Sequence, residues 1–273
     1  NVYCLDSNNG SEKWTTTIAL GTSLSTSSGI CVSDGIVYTG SAAAITALDI
    51  NTGEKKWENI RNYGEASPAE FVVAGDKLIV SSHWDALIAL DKNTGKELWK
   101  NKDEDIRFRS STPAIVDENT LIVADSDAVM IVDANTGEIT TKKDFEGYNF
   151  SSSAQPTVIG DIAYIPTANK GLITFNIKNC EIVQEIQIGK AMIYTAPYTS
   201  GDSQTTEPSL LQLPNGSLVF GASDGKLYIM SADGEIEKTV DIGAPIFGSA
   251  AYYNGSIIVS DFTGRVICLN EFE

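Results

Sequence analysis

A seven-residue motif recurs along this chain at a fixed interval, and that period constrains the fold more than any other feature. The motif reads Ala-Leu-Asp-Ile-Asn-Thr-Gly at 47–53, Ala-Leu-Asp-Lys-Asn-Thr-Gly at 89–95 and Ile-Val-Asp-Ala-Asn-Thr-Gly at 131–137. Its aspartates, Asp49, Asp91 and Asp133, follow one another every 42 residues. A period of this length indicates a repeat architecture, in which each unit buries its apolar surface against the next.

Weaker copies extend the series in both directions. They keep a similar tripeptide at the anchor position, and they are Cys4-Leu5-Asp6 with Gly10, Thr174-Phe175-Asn176, Ile229-Met230-Ser231 and Cys268-Leu269-Asn270. Seven anchors are therefore present. The step from the fifth anchor to the sixth is 55 residues, so about 13 extra residues lie around 192–198, where an insertion is a reasonable recognition element.

Three copies carry a tryptophan eight residues after the aspartate: Trp14, Trp57 and Trp99. These are three of the four tryptophans in the chain. A large aromatic ring that recurs at a fixed repeat position is typical of a buried packing residue. We therefore expect each indole to lie between adjacent repeats rather than to contact a ligand.

The Asp-x-Asn-Thr-Gly segment admits two interpretations. Asp and Asn at alternate positions resemble the start of a calcium-binding loop, but glycine stands at the fifth position, where a ligand is needed, and no helix pattern flanks the segment. We favour a hairpin turn, in which the Asp and Asn side chains bond nearby backbone groups and the glycine adopts a positive φ angle.

Each complete unit is predicted to contain four short strands. In the third unit we place them at Glu70 to Val73, Lys77 to Ser81, Leu87 to Leu90 and Lys96 to Lys100. Four strands every 40 to 45 residues is the spacing of a propeller blade, and their apolar character on both faces requires cover from neighbouring blades.

The sequence therefore predicts an all-β fold: one domain over 1–273, a β-propeller of four-stranded antiparallel blades with 25 strands in total. Seven anchors favour seven blades with the first blade incomplete, because the first copy begins at its third strand. We accordingly expect the chain to come from a longer polypeptide. Six blades are the alternative, in which Glu12 to Ile18 supplies the outer strand of the last blade.

The Ala-Leu-Asp-x-Asn-Thr-Gly motif, with Trp eight residues after the Asp, resembles the PQQ-like repeat of quinoprotein dehydrogenases and of the bacterial outer-membrane assembly propeller. The resemblance covers nearly the whole chain and implies a propeller fold in a periplasmic or extracellular bacterial protein, such as the C-terminal propeller of a multidomain protein. Dehydrogenases of the family are longer and hold quinone and calcium beside a disulfide of adjacent cysteines. This chain has no Cys-Cys pair, so we expect no cofactor.

Composition excludes several function classes. Lys and Arg total 19 against 36 Asp and Glu, giving a net charge of −17, which repels nucleic acid and anionic lipid. No apolar run approaches the roughly 18 residues of a membrane span, so no membrane insertion is expected. The only histidine is His83 and the four cysteines lack C-x-x-C spacing, so no metal site is expected. We expect free, mostly buried thiols.

Binding residues are sought in the loops that join blades and in those between second and third strands, because both emerge on one propeller face. An aromatic residue recurs shortly before the innermost strand of nearly every unit. The candidates are Tyr63, His83, Trp84, Arg107, Phe108, Arg109, Tyr148, Phe150, Tyr194, Tyr198 and Phe247. These side chains could bind a partner or plug the channel as packing, and both interpretations stay open.

Ionisable residues on the same face are also considered. His83 is either a general base or ligand oriented by Asp85 or Asp127, or a polar loop residue, and we favour the latter. Several carboxylates could bind a cation, but most stand where an Asp-Gly turn is typical, and we favour turns: Glu65, Asp85, Asp125, Asp127 and Asp261.

No hydrolase, phosphate-loop, metalloprotease or dinucleotide motif occurs in the sequence, and we assign no catalytic residue. The favoured function is a non-catalytic binding or scaffolding propeller that presents an aromatic-rich face to a protein partner or to an adjoining domain of a longer chain. The alternative is an enzyme or small-ligand receptor with a pocket near Arg107, Arg109, His83 and Tyr194.

Overall fold

The computed structural model describes residues 1–19, 29–41, 43–60, 68–82, 86–102, 112–150, 154–193 and 202–270. Within these ranges the secondary structure consists of 25 β-strands in seven antiparallel sheets and contains no helix. No described segment therefore has a helix that could span a membrane.

Sequential strands are neighbours in every sheet. Sheet 1 contains β1 (Val2–Leu5) and β2 (Glu12–Thr16); sheet 2 contains β3 (Cys31–Ser33), β4 (Ile36–Gly40), β5 (Ala44–Asp49) and β6 (Lys55–Ile60); and sheet 3 contains β7 (Pro68–Ala74), β8 (Lys77–Ser82), β9 (Ala86–Asp91) and β10 (Glu97–Asn101). Sheet 4 contains β11 (Ala114–Asp117), β12 (Thr120–Asp125), β13 (Ala128–Asp133) and β14 (Ile139–Asp144); and sheet 5 contains β15 (Thr157–Ile159), β16 (Ile162–Pro166), β17 (Leu172–Asn176) and β18 (Glu181–Ile186). Sheet 6 contains β19 (Leu211–Gln212), β20 (Leu218–Gly221), β21 (Lys226–Met230) and β22 (Ile236–Asp241); and sheet 7 contains β23 (Ala251–Tyr253), β24 (Ser256–Ser260) and β25 (Val266–Leu269).

The predicted all-β fold and the strand pattern are confirmed. Strands of the third unit begin and end within two residues of their predicted positions, and the seven sheets fit the seven anchors. The six-blade alternative used Glu12 to Ile18 as the outer strand of the last sheet. Glu12–Thr16 instead pairs with Val2–Leu5, with Val2 opposite Thr16.

The sheets pack face to face, which explains why their middle strands are apolar on both sides. One cluster joins Tyr38 and Ile45 of sheet 2 to Leu78, Val80 and Ile88 of sheet 3. Sheets 5 and 6 share a second cluster of the same kind, and sheets 6 and 7 share a third. Sheet 6 is thus covered on both faces by neighbouring sheets, as predicted.

The chain divides into two compact units. The first contains Asn1–Leu121 with Ile131–Thr140, and the second contains Ile122–Met130 with Thr141–Glu273. A single domain over 1–273 stays a prediction.

The Asp-x-Asn-Thr-Gly segments form the predicted hairpin turns. In the second repeat, Asp49 Oδ1 accepts the N–H groups of Asn51 and Thr52 at 3.0 and 3.1 Å. The Asp49 carbonyl accepts the N–H of Gly53 at 2.8 Å, and Gly53 has φ +72°. Since the aspartate is committed to its own turn, the structure supports this interpretation over a calcium loop.

Each of the three tryptophans at the repeat position docks on the turn of the next repeat. The indole N–H of Trp57 donates to the Lys92 carbonyl at 2.9 Å, and a Cβ built on Gly95 would lie 2.7 Å from Cδ2 of Trp57. Trp14 docks in the same way on Ile50 and Gly53, and Trp99 on Ala134 and Gly137. The predicted packing of indoles between repeats is confirmed.

A second contact accompanies each docked indole. Two residues after the tryptophan, a Thr or Asn side chain donates to the carbonyl of the same turn glycine. Thr16 donates to Gly53 at 2.6 Å, Asn59 to Gly95 at 2.5 Å and Asn101 to Gly137 at 2.7 Å. Each Trp-x-Asn or Trp-x-Thr segment therefore holds the turn by two hydrogen bonds, one from the indole and one from the Asn or Thr side chain.

Where the tryptophan is missing, the turn changes with it. Thr141 stands at the tryptophan position of the fourth repeat, and the next turn carries Cys180, with φ +55°, in place of glycine. Cys180 is a free, half-buried thiol, as are Cys4 and Cys31, while Cys268 is exposed. The prediction of free thiols holds, but the prediction that they are mostly buried is wrong, because these positions lie near strand ends and turns.

Candidate interaction surface

A ladder of backbone hydrogen bonds links the inter-sheet connections of the second unit to its loops between second and third strands. Each N–H donor comes from the next such segment along the chain. The bonds run from Phe150 to Ser126, Ala168 to Asn149, Thr206 to Thr167, Ser223 to Thr205, Ile246 to Ala222 and Phe262 to Pro245, at 2.6–3.1 Å. These segments therefore lie at one end of the second unit, which we call the ladder face.

Tyr148 and Phe150 lie on the ladder face in the connection from β14 to β15. Their rings stack at 5.8 Å with an interplanar angle of 10°, and Phe145 meets both rings edge-on. Phe150 is fully buried and Tyr148 half-buried. Phe150 thus supports the Tyr148 ring and offers no exposed surface of its own.

The outer side of Tyr148 is polar. Its hydroxyl donates to Glu185 Oε1 at 2.6 Å, and Lys170 Nζ lies 5.7 Å from the ring centroid, within cation–π range. The hydrogen bond to Glu185, together with partial burial, raises the pKa of Tyr148 to about 12. The hydroxyl is therefore a neutral donor at physiological pH.

Phe247 and Phe262 form an aromatic pair on the same face. Their rings meet edge-on with centroids 5.4 Å apart. Phe247 is half-buried, whereas Phe262 is 62% exposed. Sequence reasoning selected Phe247 but missed Phe262, although Phe262 follows Asp261 in the kind of loop that was searched.

Asp261 fixes the loop that carries Phe262. Its Oδ1 accepts the Thr263 hydroxyl at 2.6 Å and the Arg265 N–H at 3.1 Å, and its Oδ2 accepts from Arg265 Nε at 2.6 Å. The Thr263 hydroxyl bond, reinforced by Arg265, lowers the pKa of Asp261 to about 2. Asp261 is thus a turn residue, as favoured from the sequence.

This depressed pKa predicts an acid-dependent loss of stability. A carboxylate with a lower pKa in the folded state stabilises the fold above its unfolded pKa, near 3.9, and that contribution is lost as pH falls to about 2. We therefore expect Asp261→Asn to lose less stability than wild type between pH 4 and pH 2. Urea unfolding across this range measures the difference, and parallel curves for the two proteins would contradict the prediction.

Asp224 holds the chain before the insertion. Its side chain is 3% exposed, and its Oδ2 accepts the Tyr228 hydroxyl at 2.5 Å and the Gly189 N–H at 3.0 Å. Burial and the Asp224 bond raise the pKa of Tyr228. Beyond Gly189, the Met192 N–H donates to the Ser223 carbonyl at 2.8 Å, and Met192 is 55% exposed.

The remaining predicted site residues lie outside the described residues, and they stay predictions: Tyr63, His83, Trp84, Arg107, Phe108, Arg109, Tyr194 and Tyr198. Glu65 and Asp85 lie there as well. Asp125 is buried and accepts the Ser126 N–H at 2.8 Å, as a turn residue does. In the described part of the chain, no group of three His, Cys, Asp or Glu side chains could hold a metal ion.

Comparison with known proteins agrees with this geometry. The family model described as outer membrane protein assembly factor BamB matches residues 1–141 and 43–271. The chain belongs to this BamB family. No curated protein sequence matches it.

Solved structures similar to this BamB-family chain include a BamB protein and a WD40 β-propeller domain. BamB from Moraxella catarrhalis is 16% identical with a TM-score of 0.62, covering 96% of this chain and 86% of its own. The computationally designed Ika8 protein is 16% identical with a TM-score of 0.67, covering 96% and 74%. The WD40 β-propeller domain of Doa1 is 14% identical with a TM-score of 0.60, covering 88% and 76%. The fold is therefore a β-propeller.

Proposed function

We propose that this chain is a non-catalytic binding or scaffolding propeller that presents its aromatic-rich ladder face to a protein partner or to an adjoining domain. The observation that carries the proposal is the Phe247–Phe262 pair, in which a large ring is 62% exposed. Aromatic residues and Met are enriched in protein interfaces, and Met192 is exposed on the same face.

The ladder face is suited to recognition because its backbone is fixed in advance. Hydrogen bonds tie each connection to its neighbours, and Asp261 holds both ends of the loop around Phe262. A surface that is already ordered loses little conformational entropy when a partner binds. The exposed rings can therefore contribute most of their burial energy to affinity.

Charge and family membership support a protein partner. The net charge of −17 favours partners with basic surfaces and disfavours nucleic acid. The family description names an outer-membrane assembly factor, so we propose a bacterial protein in the periplasm or outside the cell. The residues of the enzyme or receptor alternative, near His83, lie outside the described part of the chain, and no observation favours that alternative.

Site-specific photo-cross-linking tests the proposal in the cells that make the protein. We expect a photoreactive phenylalanine at position 262 to yield discrete cross-linked species. The matched control is position 253, because Tyr253 is an aromatic residue of the same sheet, is 69% exposed and lies at the opposite end of β24. Cross-linking that is absent at 262, or equal at both positions, would contradict the proposal.

The cross-linked partner then allows a direct affinity measurement. Phe262→Ala should weaken binding about tenfold or more, the loss typical of an aromatic residue at an interface centre. Since the ring is mostly exposed, its removal should leave the thermal midpoint nearly unchanged. Tyr253→Ala should leave the affinity at the wild-type value.

A further inference from the structure

The sequence carries four Asn-x-Ser segments. Three read Asn-Gly-Ser, at 9–11, 215–217 and 254–256, and the fourth is Asn-Phe-Ser at 149–151. Asn followed two residues later by Ser or Thr, with no Pro between them, is the acceptor motif for N-linked glycans, which attach in surface loops of exported proteins. Because the motif is short, the surroundings of each asparagine decide whether a glycan fits there.

Asn254 lies at the tip of the hairpin that joins β23 to β24. Tyr253 pairs with Ser256 across this hairpin, so Asn254 and Gly255 are its two turn residues. Their φ angles are +47° and +78°, as a tight two-residue turn requires. Asn254 is exposed, so a large group attached to it would extend into solvent.

Asn215 and Asn9 are exposed in two further hairpin turns, β19–β20 and β1–β2. The Asn215 Oδ1 accepts the Ser217 N–H at 3.0 Å, and the Asn9 Oδ1 accepts the Ser11 N–H at 2.8 Å. In both turns the hydrogen bond is made by the carboxamide oxygen. An N-linked glycan attaches to the carboxamide nitrogen, so neither bond has to break.

Hairpin geometry alone does not require the Asn-Gly-Ser motif. In sheet 2 the corresponding turn is Asp34-Gly35, and its φ angles of +50° and +76° nearly equal those of Asn254-Gly255. The residue that follows this turn is Ile36. The asparagine and the serine are therefore not needed to form a turn of this shape.

The Asn149 motif has different surroundings. Asn149 lies on the ladder face, where its N–H donates to Asn169 Oδ1 at 2.9 Å and its carbonyl accepts the Ala168 N–H at 2.8 Å. The middle residue of the motif, Phe150, is 1% exposed. Since a transferase has to bind the acceptor segment in its own active site, this motif is not accessible in the folded chain.

We propose that the three Asn-Gly-Ser turns are N-glycosylation sites and that Asn149 is not one. This inference rests on the proposed location of the chain outside the cytoplasm. A transferase of the cell catalyses the attack of the asparagine Nδ2 on C1 of an oligosaccharide linked to a lipid phosphate. The N–C1 bond forms, the C1–O bond breaks, the lipid phosphate leaves with the bonding electrons, and the amide proton passes to a base of the transferase.

Glycans at Asn215 and Asn254 leave the ladder face accessible. Both turns join the first strand of a sheet to the second, whereas the ladder face is made of the segments at the other end of these strands. A bulky, hydrated glycan therefore shields one end of sheets 6 and 7 from contacts. A partner that binds at Phe262 is not obstructed.

Glycopeptide mass spectrometry tests the sites on protein recovered from outside the cytoplasm of the cells that make it. We expect oligosaccharide mass on the peptides that contain Asn9, Asn215 and Asn254, and only the unmodified mass on the peptide that contains Asn149. The same chain made in the cytoplasm of a host without such a transferase gives the unmodified baseline. Ser256→Ala should abolish the added mass at Asn254, and Ser256→Thr should retain it, because threonine keeps the hydroxyl.

Unmodified asparagine at all three turns would overturn the proposal, and so would a glycan on Asn254 that survives Ser256→Ala. A glycan on Asn149 as abundant as the one on Asn254 would also overturn it, because exposure would then not select the site. The ladder-face function is tested separately, since cross-linking through position 262 does not depend on a glycan. Protein found only in the cytoplasm would contradict the proposed location, and this inference with it.

Discussion

Gly95→Ala is expected to destabilise the fold by about 2–5 kcal/mol. The new methyl would lie 2.7 Å from Cδ2 of Trp57, and overpacking of this kind costs about 1–3 kcal/mol. The backbone at Gly95 has φ +70°, and a non-glycine residue there costs about 1–2 kcal/mol more. Chemical denaturation measures the sum as a fall in the free energy of unfolding.

Gly10→Ala separates these two causes. Gly10 occupies the same repeat position with φ +73°, but nothing lies within 4 Å of its Cβ position among the described residues. Only the cost of the positive φ angle should remain, so Gly10→Ala should lower the free energy of unfolding by about 1–2 kcal/mol. Equal losses for Gly10→Ala and Gly95→Ala would mean that the indole does not dock in solution as it does in the structure.

The repeat pattern was sufficient to predict the fold because each repeat uses its conspicuous residues for local structure. Asp49 bonds its own turn, Gly53 needs a positive φ, and Trp14 covers Gly53. Each of these requirements restricts the residue type at a fixed spacing, so the period is visible in one sequence. Thr16 and Asn59 make the same hydrogen bond to the carbonyl of the turn glycine, although they are different residue types. The sequence therefore did not reveal this contact.

The candidate site was less predictable because exposure depends on tertiary neighbours. Phe150 and Phe262 both follow short polar segments in the sequence, yet the first is 1% exposed and the second 62%. Phe150 is covered because Phe145 and Tyr148 surround it. Phe262 contacts Phe247 on one side only. No local pattern distinguishes these environments.

Asp224 illustrates a role that the sequence concealed. It stands in a Ser-Asp-Gly turn, where the residue type alone suggests an ordinary surface aspartate. The structure instead buries its carboxylate against Tyr228 and Gly189, so that it ties the chain before the insertion to sheet 6. The binding partner Gly189 is 35 residues away, a separation that no turn pattern encodes.

Asp224→Ala should consequently cost about 2–4 kcal/mol of unfolding free energy. The substitution removes the carboxylate that accepts hydrogen bonds from the Gly189 N–H, the Tyr228 hydroxyl and the Lys226 N–H. Each hydrogen bond contributes about 0.5–1.5 kcal/mol net to stability. Tyr228→Phe should cost less, about 1 kcal/mol, because the carboxylate keeps its bond to Gly189. Hydrogen exchange at Gly189 should accelerate in Asp224→Ala, since its amide keeps only the Tyr228 hydroxyl oxygen, at 3.1 Å, as an acceptor.

Asp161→Ala is the matched control for the loss of a carboxylate. Asp161 pairs with Lys178 at 2.6 Å, but the two side chains are 54% and 73% exposed, and surface ion pairs of this kind contribute about 0–1 kcal/mol. If Asp224→Ala and Asp161→Ala lose similar stability, Asp224 is not the buried acceptor described above. If Asp224→Ala loses several times more, the buried carboxylate stabilises the contact between Gly189 and sheet 6.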